Sequence, residues 1–137
     1  MEKPEIVALL KRFEISPTPQ RVEIAHVMLA AQHHLSADQV LARVSTTGAL
    51  VSKATVYNTL GLLAARGLIR QVFVDPAKVF YDSNTHPHYH FYNVDTGTLI
   101  DFSPDEVSIA GIPAPPAGMV TEGVELVIKV RNQTAAA

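Results

Sequence analysis

The chain contains no cysteine and no tryptophan. Without thiols, a disulfide scaffold, an iron–sulfur cluster, a cysteine-ligated zinc and a cysteine nucleophile are all excluded. Any metal ion has to be held by His, Asp or Glu. Long hydrophobic runs are missing too: no apolar stretch approaches the ~18 residues that span a bilayer, and Met-Glu-Lys-Pro does not read as a secretory leader. These features predict a cytoplasmic protein with no membrane partner. No excess of one charge marks the whole chain, with 11 Lys and Arg against 13 Asp and Glu. The charge there is divides unevenly. Residues 1–75 carry eight basic and six acidic side chains, whereas 76–137 carry three and seven, together with three of the six histidines. Two segments with different tasks are predicted. A chain of 137 residues forms one globular unit or two small ones and can bury a core without staples.

Apolar spacing then supplies the elements. Ile6, Val7, Leu9, Leu10 and Phe13 predict an amphipathic helix over 4–14 that Ser16-Pro17 terminates. Thr18-Pro19 opens a second helix, running to about Ala31, whose apolar residues face nearly all round, as befits a central position. Ser36-Ala37-Asp38-Gln39 is a capping box with Leu35 and Val40 as its hydrophobic staple, and the third helix ends near Thr46. Ser52 caps a fourth helix, 53–66, closed by Gly67. On its wheel Val56, Leu60 and Leu63 share one face, leaving Ala54, Tyr57, Asn58 and Gly61 on the other, so the tyrosine points away from the core.

After Gly67 the period shortens to that of strands. Segments 68–74 and 78–82 predict a hairpin around Asp75-Pro76-Ala77, and helices followed by a hairpin suggest a winged helix-turn-helix with the fourth helix as reader. A helical core with an incidental hairpin is the plainer alternative. Asn84 to Pro87 reads as a linker, and strands follow at 88–94 and 98–102 around Asp95-Thr96-Gly97. The proline-rich stretch 103–123 allows no more than one helical turn, and a last strand at 124–130 precedes a frayed tail, 132–137. Three strands with little helical cover make a poor monomer, which predicts a homodimer. The expected class is α+β: a winged helix-turn-helix over 1–83, a hinge at 84–87, and a small C-terminal α/β, largely β dimerisation and metal-sensing domain over 88–137.

His88 and His90 stand two apart in a strand and project from one face. Asp101 on the next strand can meet the pair across the ladder, and Asp82 ends the hairpin. Nitrogen and oxygen donors without thiolate suit Fe(II), Mn(II) or Zn(II), and mixed His/carboxylate sets with five or six ligands favour the first two. A His-x-His pair alone is equally a solvated or core-satisfied pair. His33-His34 read by themselves as loop histidines, and His26 and His86 as structural or solvent-exposed. For nucleic acid the candidates are Arg21, Ser52, Lys53, Thr55, Tyr57, Asn58 and Arg70, which otherwise are ordinary capping and surface residues.

Pro17-Thr18-Pro19-Gln20-Arg21, His33-His34-Leu35-Ser36-Ala37-Asp38, Ala54-Thr55-Val56-Tyr57-Asn58-Thr59-Leu60, Gly67-Leu68-Ile69 and His88-Tyr89-His90-Phe91, in this order and spacing, resemble the Fur superfamily of metal-dependent transcriptional regulators over residues 10–131. The resemblance implies a winged helix on a double-stranded DNA operator, a β-rich dimerisation domain, and a regulatory metal at the hinge that ties the two together. It implies a repressor of iron-homeostasis or peroxide-response genes. Laid on the pattern of the peroxide-sensing PerR branch, the ligands fall at His34, Asp82, His88, His90 and Asp101. The placing of Asp82 six residues ahead of His88 is more similar to PerR and to the iron response regulators (Irr) than to Fur itself. Where many members carry Cys-x-x-Cys for a structural zinc, this chain has Asn93-Val94-Asp95-Thr96 and no later cysteine pair, which implies no structural zinc. Ile112-Pro-Ala-Pro-Pro-Ala-Gly-Met119 resembles Irr-type members, although their cysteine-proline haem motif and triple histidine are missing.

Fe(II) or Mn(II) is the expected regulatory metal, with Zn(II) fitting the same donors in vitro and a haem-responsive Irr-type regulator as the alternative. With Fe(II), the resemblance implies oxidation of His34 or His88 by peroxide, and with Mn(II) it implies an inert site that reports metal supply. A small mononuclear metalloenzyme built on His88, His90 and a carboxylate is the rival from another class. Five candidate ligands leave little of the shell for substrate, so the expected answer is not an enzyme. A winged-helix regulator whose histidines sense nothing is the remaining alternative.

Overall fold

The computed structural model describes residues 1–30, 34–75 and 78–134. The readings of His33, of the hairpin turn at Pro76 and Ala77, and of the last three tail residues lie outside the described residues. The chain divides into two units, Met1–Thr85 and His86–Ala137.

In the first unit, α1 (Lys3–Arg12), α2 (Pro19–Leu29), α3 (Ala37–Thr46) and α4 (Lys53–Ala65) precede a small sheet. Central α2 packs against α1, α3 and α4, with Ile24, Ala25 and Met28 fully buried. Its nearly all-round apolar pattern follows from that position. Thr18 caps it by accepting the Arg21 N–H, and the capping box of α3 is complete, Ser36 Oγ accepting from Gln39 N–H at 3.2 Å and Gln39 Oε1 from Ser36 N–H at 2.8 Å. The last helical residue of α2 is Leu29, with Ala30 as its C-cap, and the expected end near Ala31 lies outside the described residues.

The end of α1 also differs from the expectation. It stops at Arg12, ahead of Ser16-Pro17, because Glu14 takes a left-handed φ of 60°. Glu14 N–H then donates to Lys11 O at 3.0 Å and Ile15 N–H to Leu10 O at 2.9 Å. The same two bonds close α4, where Gly67 at φ 84° donates to Ala64 O and Leu68 to Leu63 O, both at 3.0 Å. A glycine announces this stop in the sequence and a glutamate does not.

The sheet of the first unit has the order β1-β3-β2, from β1 (His34–Leu35), β2 (Arg70–Asp75) and β3 (Lys78–Asp82). The two-residue β1 is too short to show a period and is absent from the sequence reading. It pairs antiparallel with β3, His34 opposite Asp82 and Leu35 opposite Tyr81. Leu35, Ile69 and Tyr81 belong to the helical core, so the hairpin is structurally continuous with the helices.

In the second unit β4 (Tyr89–Asn93) lies between β5 (Thr98–Phe102), antiparallel to it, and β6 (Val127–Val130), parallel to it. His88 therefore stands one residue ahead of its strand, and β6 begins three residues later than the predicted 124. The β4 amides that face β6 are those of even-numbered residues, His90 donating to Leu126 O and Val94 to Val130 O, so the parallel ladder starts at the bond just ahead of Val127. A parallel partner also requires a crossover. That crossover contains a single 3-10 turn, Pro104–Glu106, capped by Ser103 and Glu106, and it is the only helical turn among the described residues of this unit. Among the described residues no helix is long and apolar enough to cross a membrane.

Two glycines of α4 test the local account. A Cβ on Gly61, inside the helix, meets nothing within 4 Å, as does one on Gly67, yet only Gly67 has a positive φ. Gly61→Ala is expected to stabilise by up to about 1 kcal/mol, and Gly67→Ala to destabilise by about 1 kcal/mol. Equilibrium urea unfolding reads both, and equal signs would contradict the assignment.

Candidate functional site

The second unit brings three predicted ligands together. The β4–β5 register sets His90 opposite Asp101, and His90 Nε2 lies 3.3 Å from Asp101 Oδ1. His88 Nε2 lies 3.7 Å from the same oxygen, with the two imidazoles edge to face at 4.5 Å between centroids. Both histidines are buried, whereas the Asp101 side chain is 39% exposed. His88 Nδ1 donates to the backbone carbonyl of His86. That bond places the proton on Nδ1 and makes Nε2 the lone-pair nitrogen, as a metal ligand requires. Two imidazole nitrogens and a carboxylate oxygen, within 4.8 Å of one another, fit a divalent cation of the Mn(II), Fe(II) or Zn(II) type.

The first unit contributes a second pair. His34 in β1 faces Asp82 in β3, Nε2 to Oδ2 at 3.3 Å, and the Asp82 side chain is only 1% exposed. Its other oxygen, Oδ1, accepts the Asn84 N–H at 2.8 Å. One oxygen is thus held by the turn while the other is aimed at the imidazole. A buried carboxylate is costly without positive charge or hydrogen bonds, so this pair also fits a cation. Arg70, read from sequence as facing DNA, stands opposite Asp82 on the other side of β3, at the root of the hairpin.

The remaining nucleic-acid candidates gather around α4. Ser52 Oγ accepts the Thr55 N–H at 3.1 Å and lies 2.9 Å from Thr55 Oγ1, so both hydroxyls cap the helix. Lys53 Nζ is 3.3 Å from Asp38 Oδ1 and 5.7 Å from the centre of the Tyr57 ring, which is 44% exposed. Arg21, Thr55 and Asn58 line one groove of about 310 Å³ with Thr18 and Gln20. Arg21 Nη1 also donates to Ser16 O at 3.0 Å, which ties the guanidinium to the loop before α2. A second groove of about 310 Å³ is lined by Ser36, Asp38, Tyr57, Lys78 and Tyr81. Gln20 and Lys78, which line these grooves, are not among the nucleic-acid candidates read from the sequence.

A family model described as the Ferric uptake regulator family matches residues 14–115. The peroxide-responsive repressor PerR of Staphylococcus aureus strain Mu50 is 31% identical over 101 residues, covering 74% of this chain and 68% of its own length. A structure of the ferric uptake regulator from Pseudomonas aeruginosa with manganese is similar at a TM-score of 0.70 and 26% identity, covering 93% of this chain and 97% of that one. In fold the chain also resembles the ferric uptake regulator from Francisella tularensis with iron, at a TM-score of 0.72 and 23% identity, covering 88% and 94% of the two chains. The match spans both α2 to α4 of the first unit and the segment of the second that carries His88, His90 and Asp101. The chain belongs to the Ferric uptake regulator family, whose members are dimeric, metal-responsive DNA-binding transcription regulators and not enzymes.

Proposed function

We propose that this chain is a repressor that holds one Fe(II) or Mn(II) ion on His34, Asp82, His88, His90 and Asp101, and binds its operator when that ion is in place. The observation that carries the reading is the aim of two buried imidazole nitrogens, His88 Nε2 and His90 Nε2, at one Asp101 oxygen. His34 and Asp82 supply a matching pair from the first unit. In this reading residues 1–83 bind DNA, 84–87 form the hinge and 88–137 dimerise and sense.

Each residue has a separate task. The His86 carbonyl keeps His88 in the ligating tautomer, and the Asn84 N–H holds Asp82 so that its free oxygen is presented. A bound ion supplies the cross-link that fixes one domain against the other across the hinge. Fixing that geometry sets the spacing of the two reader helices in a dimer, so metal and operator strengthen each other's binding reciprocally. On each reader, Lys53 contributes phosphate attraction and Asn58 reaches base edges. The small positive balance of residues 1–75 makes a single copy a weak binder, and pairing doubles the contacts.

The named PerR relative and the partial exposure of Asp101 favour a second sensing mode when the ion is Fe(II). Hydrogen peroxide then converts an imidazole C–H of His34 or His88 to C–OH with release of water. Loss of that ligand would release DNA.

Anaerobic titration of the metal-free protein with Mn(II) is expected to show one site per chain. His34→Ala and His88→Ala are each expected to weaken it by about tenfold or more. Loss with His88→Ala alone would contradict a joint site. In the same series, Fe(II)-loaded protein exposed to peroxide gains one oxygen atom on the His34 or His88 peptide, and Mn(II)-loaded protein does not.

Operator binding by the Mn(II)-loaded protein separates the roles on α4. Lys53→Ala is expected to weaken specific and non-specific DNA alike and to lower the salt slope by about one per reader. Asn58→Ala should cost about 1–3 kcal/mol on the specific site only. Equal loss on both kinds of DNA would remove Asn58 from base recognition.

A further inference from the structure

Burial does not explain why β6 holds its place. None of Val127, Ile128, Lys129 and Val130 is buried, and the strand is only four residues long. Its parallel register beside β4 nevertheless sets His90 against Val127 and Asn93 against Val130. A slip of one residue would turn every side chain of β6 to the other face and shift its backbone partners along β4.

The far end of the strand carries a set of side-chain bonds that prevents such a slip. Asn93 Nδ2 donates to Asn132 Oδ1 at 2.8 Å, while Asn93 Oδ1 accepts the N–H groups of Asp95 at 2.9 Å and Thr96 at 3.2 Å. Asp95 Oδ2 in turn accepts the Asn132 N–H at 2.9 Å. Beside them Val94 N–H donates to Val130 O at 2.9 Å. The turn after β4 is therefore tied, by both its amide and its carboxylate, to the residue two positions beyond β6. At the near end the residue just ahead of β6 reaches a metal-type residue directly: His90 N–H donates to Leu126 O at 3.3 Å.

We propose that Asn93, Asp95 and Asn132 form a clasp that positions His90, by pinning β6 in register so that β6 fixes the backbone of β4 at His90. The inference rests on the reading of His90 as a metal ligand. The clasp residues touch no ligand atom and act only through the two strands. They also hold this end of the sheet by hydrogen bonds, without thiolates.

The test uses the full-length protein, with amide hydrogen exchange measured metal-free and Mn(II) affinity measured separately. Asn132 is exposed and lies beyond the last strand, so Asn132→Ala leaves the core intact. Asn132→Ala and Asp95→Ala are each expected to speed exchange of the His90 and Val94 amides by about tenfold. Mn(II) affinity should fall by about tenfold with them. Asp95→Asn, which keeps an acceptor oxygen, should restore both readouts. Unchanged exchange in both alanine variants overturns the clasp. Faster exchange with unchanged Mn(II) affinity overturns the positioning role. A wild-type protein that binds no Mn(II) overturns the metal reading and the positioning with it, while the exchange rates still judge the clasp alone.

Discussion

An imidazole offers a lone pair to a cation through one nitrogen only when the other holds a proton, and at His88 the backbone makes that choice. Its Nδ1 donates to the His86 carbonyl, and its Nε2 then points with that of His90 at Asp101. Much of the second unit serves this arrangement. The antiparallel register brings Asp101 across from His90, and the chain entering β6 holds the His90 backbone from the other side. Remove the carbonyl contact and the ring is free to turn its proton toward the site.

The two units solve opposite electrostatic problems. In the first, an apolar helical core supports α4, whose outer face keeps Lys53, Tyr57 and Asn58 exposed. Asp82 is the exception there, a buried carboxylate with His34 on one flank and Arg70 on the other. In the second unit the acidic balance is larger, and His88 and His90 lie inside with Asp101 as the exposed member of their cluster. An exposed carboxylate over buried imidazoles gives a cation a polar entry and a dry seat.

Where sequence and structure agree, a local rule decides. Ser36 and Gln39 form their capping box, Ser52 caps α4, and Gly67 ends it in the conformation glycine alone adopts without strain. Where they part, the deciding interaction is non-local or the residue type is unexpected. Glu14 performs the task of Gly67 with no sequence mark, β1 exists only because β3 offers it an edge, and β6 is trimmed by what β4 can pair with. The metal-type residues were legible from their spacing and from family resemblance, since His-x-His and a carboxylate across a hairpin are short-range patterns. The pairing of Arg70 with Asp82 was not, because the strand register brings the two together. The Asn93–Asn132 bond was not either, since it joins positions 39 residues apart.

In the proposed mechanism one ion ties the two units together. Because the chain has no cysteine, two introduced thiols label it uniquely. Dyes at Lys11→Cys and Glu122→Cys, both exposed positions in different units, report their separation by single-molecule energy transfer in dimers carrying one labelled chain. The account predicts a broad distribution in the metal-free protein that narrows to one state with a diamagnetic divalent ion such as Zn(II), reopens with chelator, and stays broad in His34→Ala. The same distribution with and without the ion would contradict it.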